Sequence, residues 1–288
     1  MIVVMGAAGA TGGAALHALA ALGVQSRALS RDPDGLAAAL DGPTLATTRV
    51  VGADAADPGS LRAAFEGAEQ LFLTMANSPV QVRYELNAVE AALESGIRHV
   101  VKISAPAAEP DSPVVISRGH HLIEERLRAS GITTTVLRPY AFMQKLLLLA
   151  PGIAAAGVLP GAMGVARCNY VDVRDIGEFA AATLTRPELA GGTYPLTGGR
   201  AYSYPELTEL LGELIGREVR YLDLGPDGLR DHLVGRAGMP EWLAAHVVEI
   251  QRLAVEREER PDGTFERVTG RASRTLEAFL GEHLPLFR

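Results

Sequence analysis

Cysteine is almost absent: Cys168 is the single one among 288 residues. It cannot close an internal disulfide, and no Cys/His spacing suits a metal, so disulfide scaffolds and structural zinc folds are excluded and a reducing cytoplasm is the expected setting. Clusters of Lys and Arg are also missing, and the net charge is −7, which argues against a nucleic-acid partner. Long apolar runs are lacking too. The uncharged stretch 146–166 is broken by Pro151, Gly152, Gly157, Pro160 and Gly161, whereas a spanning helix needs about 20 continuous apolar residues. The opening run has no Lys/Arg region of the kind that precedes a signal peptide. A hydrophobic content of 48% with 21% charged residues is that of a folded globular chain, not a disordered one.

What is present begins at once. Ile2 to Met5 is a short apolar run, Gly6 to Gly12 carries three glycines at a spacing of three, and Gly13 to Leu22 is rich in Ala and Leu. Strand, glycine turn and helix together form a dinucleotide cradle. Gly6 allows a sharp exit from the strand, Gly9 allows backbone to approach a pyrophosphate, and Gly12 allows the helix to lie close on the sheet. The backbone of Ala8, Ala10 and Thr11 completes the loop, with free amides at the helix start to receive phosphates.

The same alternation continues. Strands are predicted at 24–29, 48–51, 70–74, 99–104 and 133–137, with helices at 60–66, 80–95 and 117–130 between them. This interval predicts right-handed crossovers and an α/β fold with a doubly wound parallel sheet. Ligands bind such sheets beyond the carboxyl ends of the strands. That rule selects the 6–12 turn, Arg31, Asp54, Thr74 with Met75, Ser104 and Pro139. Asp54 is expected near an adenine, with capping of the next helix as the competing role.

Beyond Pro139 the alternation loosens. A helix at 172–186 and a strand at 193–197 return to the sheet, and helices at 204–215, 241–258 and 273–283 with a strand at 219–224 form a small α+β lobe. The expected division is a dinucleotide domain of 1–139 plus 165–198, and a lobe of 140–164 plus 199–288.

Arg31 ends the second strand, where a guanidinium fork suits the 2′-phosphate of NADP. Asp32 lies at about the spacing of an NAD-selecting acid, but it falls in the turn before Pro33. NADP(H) is the expected cofactor.

Several motifs then follow in order: the glycine turn, Ser30-Arg31-Asp32-Pro33, Asp54 with Asp57, Ser60 and Leu61, and Ser130-Gly131-Ile132 running to Leu137-Arg138-Pro139. Val171-Asp172-Val173-Arg174-Asp175-Ile176, Tyr194-Pro195-Leu196-Thr197-Gly198 and Thr269-Gly270-Arg271 complete the series. Over essentially its whole length the chain resembles the NmrA-like group of atypical short-chain dehydrogenases/reductases. The resemblance implies a Rossmann domain, NADP(H), and a substrate pocket under a C-terminal lobe. It also implies an activity among quinone and dye reductases, aromatic-ketone reductases, or regulators that bind the dinucleotide without turnover.

One departure matters. Active members of the wider superfamily carry Tyr-x-x-x-Lys on the helix after the fifth strand, often with Glu four residues on. With Glu124 as that Glu, the Lys position is His120 and the Tyr position is Ile116. No Tyr lies between Tyr84 and Tyr140.

The expected reaction is therefore hydride transfer from NADPH to a quinone or polycyclic aromatic ketone without a Tyr acid. The developing oxyanion would be met by Ser104 or His120. The alternatives are an NADP(H)-sensing regulator and, more remotely, a nucleotide-sugar epimerase, which would need the missing Tyr. For Ser104 the competing role is a turn cap. His120 and His121 cannot share a helix face, which leaves solvent as the other place for His120. Lys102 reads as a strand-edge charge, with a catalytic amine as the other reading. Tyr140, Phe142 and Met143 either line a pocket for a flat substrate or pin the next helix. Trp242 either walls that pocket from the lobe, one turn from His246, or packs in a core. Cys168 reads as buried packing. A small aromatic substrate is the expected partner, with no nucleic acid and no membrane, for a monomer or homodimer.

Overall fold

Six strands and six helices occupy the first half of the chain, in a computed structural model that describes residues 1–288. The strands are β1 (Ile2–Val4), β2 (Ser26–Ser30), β3 (Thr48–Gly52), β4 (Gln70–Leu73), β5 (His99–Ile103) and β6 (Thr133–Pro139). Between them lie α1 (Ala10–Ala21), α2 (Pro33–Ala39), α3 (Gly42–Thr47), α4 (Pro58–Phe65), α5 (Gln81–Glu94) and α6 (Val115–Ser130). The second half adds β7 (Ala141–Phe142), α7 (Ala150–Ala156), β8 (Val158–Gly161), β9 (Arg167–Val171), α8 (Val173–Thr185), β10 (Thr193–Leu196) and β11 (Ala201–Ser203). It ends with α9 (Tyr204–Ile215), β12 (Arg220–Asp223), α10 (Gly225–Gly235), α11 (Glu241–Glu256), α12 (Thr264–Thr269) and α13 (Leu276–Glu282).

The central sheet is parallel with strand order β10-β6-β5-β4-β1-β2-β3. The order reverses between β1 and β4, so a crevice opens above their carboxyl ends. Because strand residues alternate faces, β1 feeds two cores. Ile2 and Val4 pack with Phe72, Leu16, Ile176 and Phe179 on one side. Val3 and Met5 pack with Leu71, Leu73, Phe65, Ala88 and Ile123 on the other. Phe179 is fully buried, with its ring 5.2 Å from that of Tyr194. Truncating such a side chain to Ala costs about 3–5 kcal/mol.

α8 returns to the sheet face that carries α1. Gly177 lies so close to the backbone of Ala14 that a Cβ there would overlap it. The helix boundary read from sequence is off by one residue at each end, with Asp172 as N-cap accepting from Arg174 N–H at 2.8 Å.

α12 packs Phe265 into the sheet core beside Phe179, and the other remaining elements form a second assembly. β9 pairs parallel with β7 and antiparallel with β11, and β8 pairs with β12. Met143, Leu159, Tyr170, Leu207, Phe279 and Phe287 form its core, while α10 and α11 share Leu229, Leu233 and Ala244. Cys168 is buried in it, and burial pushes its thiol up. No helix is long and apolar enough to cross a membrane.

Several short elements were not predicted from sequence: α2, α3, α7, α10, α12, β7, β8, β9 and β11. The helices α2 and α3 are set by Asp32 and Asp41, which cap them with Pro in the first turn.

Candidate active site

The glycine turn is built by sterics. Gly6 has φ +73°, and the carbonyl of Thr74 stands where its Cβ would be. A Cβ at Gly12 would strike the Gly6 carbonyl, so α1 can rest this low only on glycine. Gly9 is the N-cap of α1, with no capping side chain and no acid in the first turn. The amides of Ala10, Thr11 and Gly12 find no acceptor within the chain. Ala8, Gly9 and Ala10 are exposed, while Thr11 and Gly12 are buried. Unpaired N–H groups and the positive end of α1 therefore converge on open space.

Around this cradle stand the other strand-end residues. Asp32 accepts from the Gly35 amide at 3.0 Å as the cap of α2, so Arg31 and Asp32 both stand exposed at the end of β2, with the acid engaged by its own helix. Asp54 is exposed beyond β3 and accepts from Ala56 N–H at 2.9 Å; the cap of α4 is Asp57, not Asp54. Thr74 is buried and Met75 half-buried beside Gly6. Pro139 is buried at the end of β6, in register with Leu196 of β10.

The end of β5 carries two buried polar clusters. In the first, the Ser104 hydroxyl donates to Glu124 Oε1 at 2.5 Å. Arg138 donates to both oxygens of the same carboxylate, at 2.6 and 3.2 Å. Ser104 thus spends its hydrogen on Glu124 and keeps lone pairs to offer. It does not cap a turn.

The second cluster corrects the reading of Lys102. It is no edge charge: β5 lies inside the sheet, and Lys102 is fully enclosed there. Its ammonium lies 2.7 Å from Glu85 Oε2 of α5, whose side chain is equally buried. It also donates to the Ile103 carbonyl and to His120 Nδ1, the latter at 3.1 Å. Gln81 donates to the other Glu85 oxygen at 3.0 Å. His120 is 6% exposed, and desolvation, with the Lys102 charge second, holds its pKa well below the usual imidazole value. His121, one residue on, faces outward and is half-buried.

Sequence reasoning missed Glu85, Gln81 and Arg138. A signal for the pair was there. Gln81, Glu85, Ala88 and Ala92 share the buried stripe of α5, and Lys102 interrupts an apolar strand. Two opposite charges on apolar faces find each other.

From the lobe side, Tyr140 and Phe142 are half-buried, and Met143 is buried in the lobe core. A cavity of about 440 Å³ lies between Met143, Tyr170, Tyr202 and Arg274. Ser104, His120, Tyr140, Phe142 and Trp242 do not line it. Trp242, on α11, is 37% exposed and so is not a core residue. One turn on, His246 Nε2 lies 3.3 Å from the Asn77 amide in the loop after β4. Burial and the Lys145 charge push His246 down to about 4. Glu249 of the same helix accepts from the first amide of α6 at 3.0 Å. α11 therefore bridges the lobe to both sides of the β5 cluster.

The strand order, the reversal between β1 and β4 and the glycine turn at that point define a Rossmann-type α/β protein. The sequence pattern of the NmrA-like family matches residues 1–280, and the chain belongs to that family. It is 31% identical over 293 residues to an NAD(P)H azoreductase of Xenophilus azovorans, covering 100% of this chain and 99% of the relative. It is 34% identical over 289 residues to a (4-alkanoyl-5-oxo-2,5-dihydrofuran-3-yl)methyl phosphate reductase of Streptomyces griseus, again covering 100% and 99%. Among solved structures it resembles an NADPH-dependent quinone oxidoreductase of Escherichia coli in complex with NADPH. That likeness has a TM-score of 0.88 at 25% identity and covers all of both chains.

Proposed function

We propose that the chain is an NADPH-dependent reductase of quinones or polycyclic aromatic ketones that works without a Tyr acid. The observation that carries this reading is the cradle: three unpaired amides at the start of α1, no acid in its first turn, and an exposed Arg31 beside it. Those groups fit a diphosphate and an extra phosphate on the adenosine. When bound, the cofactor supplies a hydride. Gly6, Ala8, Gly9, Ala10, Thr11 and Gly12 would hold its diphosphate and Arg31 its 2′-phosphate, with Asp54, Thr74, Met75 and Pro139 along its length.

The chain's own contribution lies at the end of β5. His120 keeps Nε2 unpaired within the protein and not enclosed, so it can donate to an oxygen on which charge develops. Ser104 gives its one hydrogen to Glu124 and so is left without a donor for that oxygen, and the oxyanion role expected of it falls to His120. Tyr140 and Phe142, half-buried beyond β6, would form an apolar wall for a flat substrate, with Trp242 from the lobe, whereas Met143 is taken up by the lobe core. The names of the two curated relatives and of the quinone oxidoreductase, all reductases, support this reading.

The test is to follow NADPH absorbance while offering quinones, aryl ketones and azo dyes. Consumption with a quinone or aryl ketone is expected. Tight NADPH binding without consumption by any acceptor would replace the reductase with a dinucleotide-sensing regulator.

A further inference from the structure

Nothing in the packing of a parallel strand calls for a charge at Lys102. Its neighbours Val100, Val101 and Ile103 are apolar and buried, and an ion pair with no exposure on either side carries a large desolvation cost. Two of the N–H bonds of its ammonium have acceptors in the chain. One points to the Ile103 carbonyl and one to His120 Nδ1, while Glu85 Oε2 lies 2.7 Å away as an ion pair without hydrogen-bond geometry. An ammonium can only donate, so His120 Nδ1 must accept. The imidazole hydrogen is thereby fixed on Nε2, the nitrogen that has no partner in the chain and is not enclosed.

We infer that Glu85 and Lys102 form a buried proton supply behind His120, taking the place of the absent Tyr. Lys102 is a positioning residue: it acts through the imidazole and never meets the substrate. The inference rests on the reductase reading.

The transfer balances. As His120 gives the Nε2 proton to the substrate oxygen, Nδ1 takes one from Lys102, and the imidazole ends neutral with its hydrogen on Nδ1. Lys102 becomes a neutral amine beside the Glu85 carboxylate. Return of the imidazole hydrogen to Nε2 and uptake of one proton from water restore the resting state. A neutral imidazole N–H alone is a very weak acid; with the Lys102 ammonium behind it, the proton that leaves Nε2 is replaced at Nδ1 in the same step. The charged and titratable groups around His120 are Lys102 on β5, Glu85 on α5, Glu124 on its own helix, Arg138 on β6 and His246 on α11.

The first test needs no turnover. In ligand-free protein labelled with ¹⁵N-histidine, His120 should show a protonated Nε2 and an unprotonated Nδ1; the reverse tautomer overturns the proposal. The second uses the neutral pair Lys102→Met with Glu85→Gln, which leaves no buried charge unpaired. With a quinone as acceptor, kcat should fall by on the order of 10²-fold, with KM for NADPH unmoved and the tautomer mixed. Unchanged kcat in that variant overturns the proton supply and leaves the reductase reading intact. Absence of turnover in the unaltered protein overturns both.

Discussion

Removing Glu85 alone isolates what the buried ion pair costs and what it protects. Glu85→Leu leaves the Lys102 ammonium enclosed, with its only carboxylate gone and the Gln81 amide without its acceptor. Breaking such a pair from one side costs about 3–5 kcal/mol. For 288 residues at roughly 2.1 cal/mol/K each, a loss of about 3–5 kcal/mol lowers Tm by about 5–8 °C. The pH dependence then has a fixed sign. Any proton the folded variant sheds from Lys102 is one the unfolded chain keeps, so its deficit relative to the unaltered protein should shrink, not grow, as pH rises from 7 to 9. Replacing both partners, Glu85→Leu with Lys102→Met, should recover most of the loss. The assay is chemical denaturation of all three proteins at pH 7 and pH 9. A single variant within about 1 kcal/mol of the unaltered protein, or a double variant no better than the single, would refute the reasoning.

Three further outcomes are expected. Arg31→Ala should weaken NADPH binding by about 10- to 100-fold, the worth of a charge-assisted contact, and NADH binding little; equal losses measured by fluorescence titration would contradict the phosphate clamp. Gly177→Ala drives a Cβ into the Ala14 backbone, so a loss of about 1–3 kcal/mol should come with weaker NADPH binding as α1 shifts, and an unaltered Tm would count against the close contact. His246 and His120 both titrate below the free imidazole value in the folded chain. Stability should therefore fall as pH drops from about 6.5 towards 4, and His246→Leu should flatten that slope in a series of melting curves.

The glycine turn was legible because its requirements are local: positive φ at Gly6 and missing side chains at Gly9 and Gly12 leave few other readings. The central strands were legible as apolar runs between turn signals. The short strands β7, β8, β9 and β11 were not, because two to five residues carry no period and their pairing is decided by the lobe around them. Lys102 was misread for a related reason. Its partner is 17 residues upstream, and only the packing of α5 on the sheet brings the two together. Trp242 could not be placed from sequence, since a bulky indole at a helix start is as much at home half in water as in a core.

The support for the cradle arrives late in the chain. The helix that α1 leans on, through Gly177, and the strand that closes the sheet beyond β6 are both made only after α7 and the first strands of the lobe. A nascent chain stalled at Pro139 would leave β6 as a bare edge and one flank of α1 uncovered, a surface that chaperones and other unfinished chains would find sticky. The nucleotide end of the molecule, written first, is finished only once synthesis has passed well beyond the midpoint.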